Sequence, residues 1–89
     1  MTIYYSSKFF REYKKLPVTV KRKAEVREEI FRDNPFDPRL GTHKLGGRLK
    51  EYWAFWIDSK NRIIFEYENK EIVWFHSVGN HAIYELFLK

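Results

Sequence analysis

"LKEYWAFWIDSKNRIIFEYENKEIVWFHSVG", residues 49–79, is the stretch on which the fold turns. It holds three runs rich in β-branched and aromatic residues, "LKEYWAFWID", "RIIFEYE" and "EIVWFHSVG", each with a period near two. Ser59-Lys60-Asn61 and Asn69-Lys70 are short polar connections between them, too short for anything but hairpins. The spacing therefore predicts an antiparallel meander of three strands. Residues from Tyr52 to Ile57 are apolar on both faces of their strand. Such a strand is covered on both sides: by helices on one, and by something partial or external on the other.

Upstream, "NPFDPRLGTH" reads as loop, because Asn-Pro and Asp-Pro interrupt regular structure and Gly41 adds a turn. Before it, "VTVKRKAEVREEIFRD" carries Val20, Ala24, Arg27 and Phe31 at helical spacing, with Val26 and Ile30 widening the stripe. "KFFREYKKL" is a first helix on the pattern of Phe9, Tyr13 and Leu16, with Phe10 alongside. Pro17 disfavours helical geometry at Leu16 and ends that helix, while suiting the first turn of the next. "TIYYS" is a first strand, and Ser6 or Ser7 offers an N-cap oxygen. The expected fold class is α+β, in the order β-α-α-β-β-β, with an antiparallel sheet and a two-helix hairpin packed on one face. Residues 1–89 form a single domain in this reading. The tail "NHAIYELFLK" fits a helical turn or an edge segment equally.

Composition narrows the function classes. A chain of 89 residues has room for one core. Its 19% of aromatic residues can fill much of that core. No cysteine is present, so disulfides and thiolate metal sites are excluded. No apolar stretch is long enough to span a membrane, and "MTIYYSSKFF" lacks the layout of a signal peptide. A cytoplasmic location is expected. Seventeen Lys and Arg against twelve Asp and Glu give a net charge of +5, which biases partners toward polyanions.

His43, His76 and His81 are scattered, with no i, i+4 pair and no acidic ladder, so no metal site is expected, nor any cofactor. "LGG" at Leu45–Gly47 lacks the strand-before, helix-after setting of a phosphate loop. His76 alternates with Trp74 and Val78 inside a strand and reads as packing. The remaining chemistry lies in cations, imidazoles and one phenol. Counting "TIYYS" as the first strand, His43 and Lys44 enter the second, Arg48 and Lys50 follow within it or its opening hairpin, Arg62 opens the third, and His81 and Tyr84 follow the fourth. The meander reading sets Arg62 and the chain after Gly79 at opposite ends of neighbouring strands. Their meeting then depends on sheet twist and on how the tail folds. If they meet, Arg62 can neutralise charge on a phosphate, His81 can move a proton, and Tyr84 can hydrogen-bond or stack. That set suits metal-free RNA cleavage, in which the RNA's own 2′-hydroxyl is the nucleophile.

The ordered set "HKLGGRLKEYWAFWI", "NRIIFEYE" and "SVGNHAIYE", after a "YY-S-K-F" start, resembles the RelE/ParE superfamily of type II toxins, nearest to YafQ-like and RelE-like mRNA interferases. The resemblance implies an endoribonuclease that enters the ribosome and cuts mRNA there, inhibiting translation. It implies neutralisation by a cognate acidic antitoxin, and a complex that binds its operator DNA through the antitoxin. By position, Arg62 resembles the family's strand-three arginine, and His81 and Tyr84 its C-terminal His or Tyr. His43 resembles a histidine before the second strand in the YafQ-like branch. Lys44, Arg48 and Lys50 resemble basic residues that hold RNA. The sequence departs from that branch at Trp56, which lies where a second-strand histidine would fall, while Asp58 lies near the place of an acid. The ParE-like half of the superfamily offers the alternative of gyrase inhibition without RNA cleavage, and a catalytically inactive member is the third reading.

Overall fold

The computed structural model describes residues 1–87. Its strands are β1 (Thr2–Tyr5), β2 (His43–Lys44), β3 (Trp53–Trp56), β4 (Arg62–Asn69) and β5 (Ile72–Gly79). Its helices are α1 (Ser7–Lys14), α2 (Val18–Asp33) and α3 (Ile83–Phe87). One sheet takes them in the order β1-β5-β4-β3-β2. The expected meander is present: β3, β4 and β5 pair antiparallel in sequence. Its second strand is shorter than the sequence pattern suggests. A single 3-10 turn at Gly47–Leu49 interrupts it, leaving β2 and β3 as an antiparallel pair on either side. β1 joins the far edge parallel to β5, Ile3 facing Val73, so the sheet is mixed.

The alternation along β4 defines the two faces. Ile63, Phe65 and Tyr67 point toward α1 and α2, and Arg62, Ile64 and Glu66 point away. The helix-covered face holds the main core of Ile3, Phe9, Ala24, Phe31, Phe55, Phe65, Val73 and Phe75 with their neighbours. Phe31 is its centre, with ring centroids 4.9 Å from both Phe55 and Phe65 and 5.4 Å from Phe75. Such aromatic pairs add about 0.5–1.5 kcal/mol each beyond simple burial. The stripe on α2 is narrower than expected. Ala24 and Phe31 are buried, but Val26 is 57% exposed and faces outward between Arg22 and Ile30.

Two polar links fix α1 to β5. Ser6 is the N-cap: its hydroxyl accepts from the Phe9 N–H at 3.0 Å and donates to the His76 carbonyl at 3.0 Å. Glu12 accepts from the buried Ser77 hydroxyl at 2.7 Å and from the Val78 N–H. The tail resolves as α3, which crosses the face away from α1 and α2. There Phe87 meets Tyr52 at 4.8 Å and His76 at 5.9 Å between ring centroids. Leu49, Ala54, Ile64 and Ile83 are buried outside the main core. Ala54 and Ile64 are cross-strand partners on this second face.

Candidate active site at one end of the sheet

Antiparallel register places the first residue of β4 beside the last of β5. Arg62 pairs with Gly79 on one side and with Trp56, the last residue of β3, on the other. This corrects the expectation that Arg62 and the chain after Gly79 lie at opposite ends. In an antiparallel pair, the start of one strand adjoins the end of the next, so no unusual twist is needed. Gly79 has φ +156°, and a Cβ there would lie 2.8 Å from Ile83 Cγ2. Glycine thus lets the chain turn sharply off β5. Asn80 then starts the turn: its Oδ1 accepts from Ala82 N–H at 2.9 Å and its carbonyl from Ile83 N–H at 3.0 Å. The turn brings Tyr84 back over β4.

Arg62 is held by rings. Its guanidinium carbon sits 4.0 Å from the centre of the Trp56 ring and 5.6 Å from that of Tyr84. Nη1 lies 3.5 Å from the Tyr84 hydroxyl, at the long limit of a hydrogen bond. Nε is buried and has no hydrogen-bond partner among the described residues. Among the described residues no carboxylate is within ion-pair distance of Arg62. The pairing with Glu51 or Glu66 that a purely structural arginine would make is absent, and Glu66 instead accepts from His76 Nε2 at 3.0 Å. His76 therefore occupies a packed and paired position, as its alternation suggests.

The loop after α2 supplies the other flank. Asp37 Oδ1 accepts from the Arg39 N–H and Nε, and Oδ2 from Nη2 at 2.8 Å. These hydrogen bonds from Arg39 hold the Asp37 carboxyl down to about 2. They cap the 3-10 turn Pro38–Leu40, which plugs the buried Leu40 into the core and ends on Gly41 at φ +60°. Gly41 packs against Trp56 so closely that a Cβ would sit 2.6 Å from the indole Cδ1. The Gly41 carbonyl is 2.9 Å from His43 Nδ1. A carbonyl only accepts, so Nδ1 donates, and the lone pair of the neutral ring is on Nε2.

His43 pairs with Ala54, which sets its side chain on the Arg62 face. Lys44 pairs with Trp53 and lies over that ring, 5.8 Å from its centre, on the opposite face. The structure thus brings together Arg62, Trp56 and Tyr84; His43 shares their face of the sheet beside Ala54, His81 is exposed in the turn before α3, and Lys44 is on the opposite face. Arg48 and Lys50 are exposed on either side of the buried Leu49, in the turn between β2 and β3 rather than in a strand. Asp58 holds the β3–β4 turn. Its Oδ1 accepts from Lys60 N–H at 2.9 Å and Asn61 N–H at 2.8 Å, and Lys23 is 3.7 Å away. Burial pushes the Asp58 carboxyl up, but these hydrogen bonds outweigh it and hold it below the ordinary carboxylate range. Gly41 and Trp56 were missed in the sequence as site residues. Counting back through the short Ser59-Lys60-Asn61 connection would have set Trp56 opposite Arg62.

No family model and no curated protein matches the sequence. Solved structures do. A YoeB/ParE toxin from Agrobacterium tumefaciens is similar at TM-score 0.77 and 14% identity, over 91% of this chain and 99% of that one. YafQ from E. coli is similar at TM-score 0.73 and 20% identity, over 93% and 96%. In the RelB-RelE antitoxin-toxin complex from Methanococcus jannaschii, the match is at TM-score 0.73 and 21% identity, over 94% and 98%. With a two-helix layer on a five-stranded sheet and a short helix turning back over the sheet's second face, the chain has the fold of RelE/ParE-type toxins.

Proposed function

We propose that this chain is the toxin of a type II toxin-antitoxin pair, an endoribonuclease that cuts mRNA on the ribosome in the cytoplasm. The observation that carries the reading is Arg62, a half-buried arginine that among the described residues has no carboxylate within ion-pair distance and no partner for Nε. A fixed cation of this kind suits a phosphate whose charge rises during reaction. The groups around it suit the rest of the chemistry. In-line displacement sets the entering O2′ and the leaving O5′ on opposite sides of phosphorus, so base and acid must flank the cation. His43 lies on the β2–β3 side of Arg62, and His81 and Tyr84 on the β5 side.

In this reading His43 Nε2 takes the 2′-hydroxyl proton as O2′ bonds to phosphorus. The P–O5′ bond breaks, and O5′ receives a proton from His81 or Tyr84. The products are a 2′,3′-cyclic phosphate and a 5′-hydroxyl. Only side chains act, and no cofactor enters the steps. Arg48 and Lys50, exposed in the turn between β2 and β3, hold RNA. An acidic antitoxin covers the site between events, as the antitoxin-toxin complexes among the structural neighbours suggest, and the joint complex binds operator DNA through the antitoxin.

The test is primer extension on mRNA translated with purified chain. Cuts within ribosome-covered codons are expected, with Arg62→Ala slower by about 10²–10³ in single turnover. Uncut mRNA together with inhibited DNA gyrase would replace this reading with the ParE-like one. Uncut mRNA with active gyrase would make the chain an inactive member.

A further inference from the structure

We propose that Trp56 is a positioning residue for Arg62. Its indole face, seated on Gly41 and opposed by Tyr84, fixes the guanidinium without neutralising it. An arginine side chain has four rotatable bonds, and a free one samples many positions. Proteins usually immobilise it with a carboxylate. At this site a carboxylate would defeat the purpose, because an ion-paired guanidinium has less charge to offer a phosphate. A π face solves the problem differently. It attracts the cation through its quadrupole and orients the planar group, but adds no negative charge and takes up none of the five N–H donors.

The geometry fits that role. The guanidinium carbon lies 4.0 Å from the Trp56 ring centre, close enough for parallel stacking. Trp56 and Arg62 are directly paired across β3 and β4, so the backbone sets their spacing. Gly41 sets the position of the indole: a side chain there would meet Cδ1 at 2.6 Å, and φ +60° already favours glycine. Tyr84 approaches from α3 and places its hydroxyl 3.5 Å from Nη1. Nε is buried without a partner among the described residues, and the rings add no negative charge to the fork, whose terminal nitrogens remain for a ligand.

The consequence for turnover rests on the nuclease reading, whereas the fixing of Arg62 can be observed without it. In ¹H–¹⁵N spectra of the free protein, the Arg62 Nε–H should exchange slowly and be shifted by the ring current of Trp56. Trp56→Phe should keep a displaced, protected resonance, and Trp56→Leu, which keeps bulk but has no π face, should lose both. On ribosomes, Trp56→Leu should slow single-turnover cleavage by about 10²-fold, the scale of a misplaced reacting group. The concentration for half-maximal rate should stay near wild type, and Trp56→Phe should restore most of the rate. Trp56→Gln repeats the comparison if the leucine variant does not fold, since the site is half-exposed. Wild-type cleavage and an Nε–H resonance unchanged from wild type in the Leu or Gln variant would overturn the proposal, reducing Trp56 to packing. The expected spectra with no cleavage by any protein, wild type included, would uphold the positioning and overturn the nuclease reading.

Discussion

The Gly41 carbonyl is a small feature with a large effect on His43: by accepting from Nδ1 it leaves the Nε2 lone pair outward. If His43 is the base and His81 or Tyr84 the acid, the two sides respond differently to the substrate. Replacing the scissile O5′ by sulfur gives a leaving group that departs without a proton. His81→Ala or Tyr84→Phe should then regain most of the lost rate on such a substrate, whereas His43→Ala should stay about 10²–10⁴ below wild type on both substrates. Equal rescue of His43→Ala would reverse the assignment. Arg62→Lys separates charge from shape: lysine keeps the positive charge but cannot stack as a plane or present a fork. We expect it to fall nearly as far as Arg62→Ala. At this scale the sequence was informative about residue type and poor about neighbours. Arg62 and Tyr84 stand out as a cation and a phenol without structural need, and they do meet. Trp56 reads in the sequence only as standing where a family histidine would fall, and the register shows that its ring lies against a guanidinium.

At the scale of elements, the β3–β4 turn holds the pairing that brings Trp56 and Arg62 together. Asp58 is its clamp, accepting two backbone N–H groups. Asp58→Ala should destabilise the fold by about 1–2 kcal/mol, and Asp58→Asn, which keeps an acceptor oxygen, by less. The carboxyl is held below its ordinary value in the folded chain. A lowered folded pKa means the contribution is complete above the unfolded value, about pH 4, and is lost as pH falls through the folded one. Acid unfolding followed by circular dichroism should therefore be shallower below about pH 4 in Asp58→Asn than in wild type. A parallel pair of curves would remove Asp58 as a source of the pH dependence. β4 and β5 were legible because period-two alternation and short polar connections occur together. The break between β2 and β3 was not, since Leu49 continues the apolar pattern while Gly46 and Gly47 permit the turn. The pairing of β1 was also hidden: alternation reports which face a residue takes, and says nothing about which strand lies alongside.

For the whole molecule, the useful quantity is how the +5 charge is arranged. Lys44, Arg48 and Lys50 in the β2–β3 region are all exposed: Lys44 lies over Trp53 on the helix-covered side, and Arg48 and Lys50 stand in the turn between β2 and β3. If ribosomal or messenger RNA meets the Arg62 face, ribosome affinity should fall steeply with salt. Arg48→Ala and Lys50→Ala should each flatten the log–log slope by about one, and Lys44→Ala should leave it unchanged. Measured by ribosome sedimentation over a salt series, a flattened slope for Lys44→Ala alone would place RNA on the other face.

The parallel pairing of β1 with β5 joins Thr2 to Ile72 and Tyr5 to Phe75, across some seventy positions of sequence. That closure is entropically late, since the chain between must be gathered first. During synthesis, residues 2–5 emerge early and wait without a partner until the ribosome has passed residue 75 and the exit tunnel has released it. Arg62, Gly79 and Tyr84 come from the same late part of the chain. A nascent chain stalled before that point has neither a closed sheet edge nor the cluster of Arg62 with Trp56 and Tyr84.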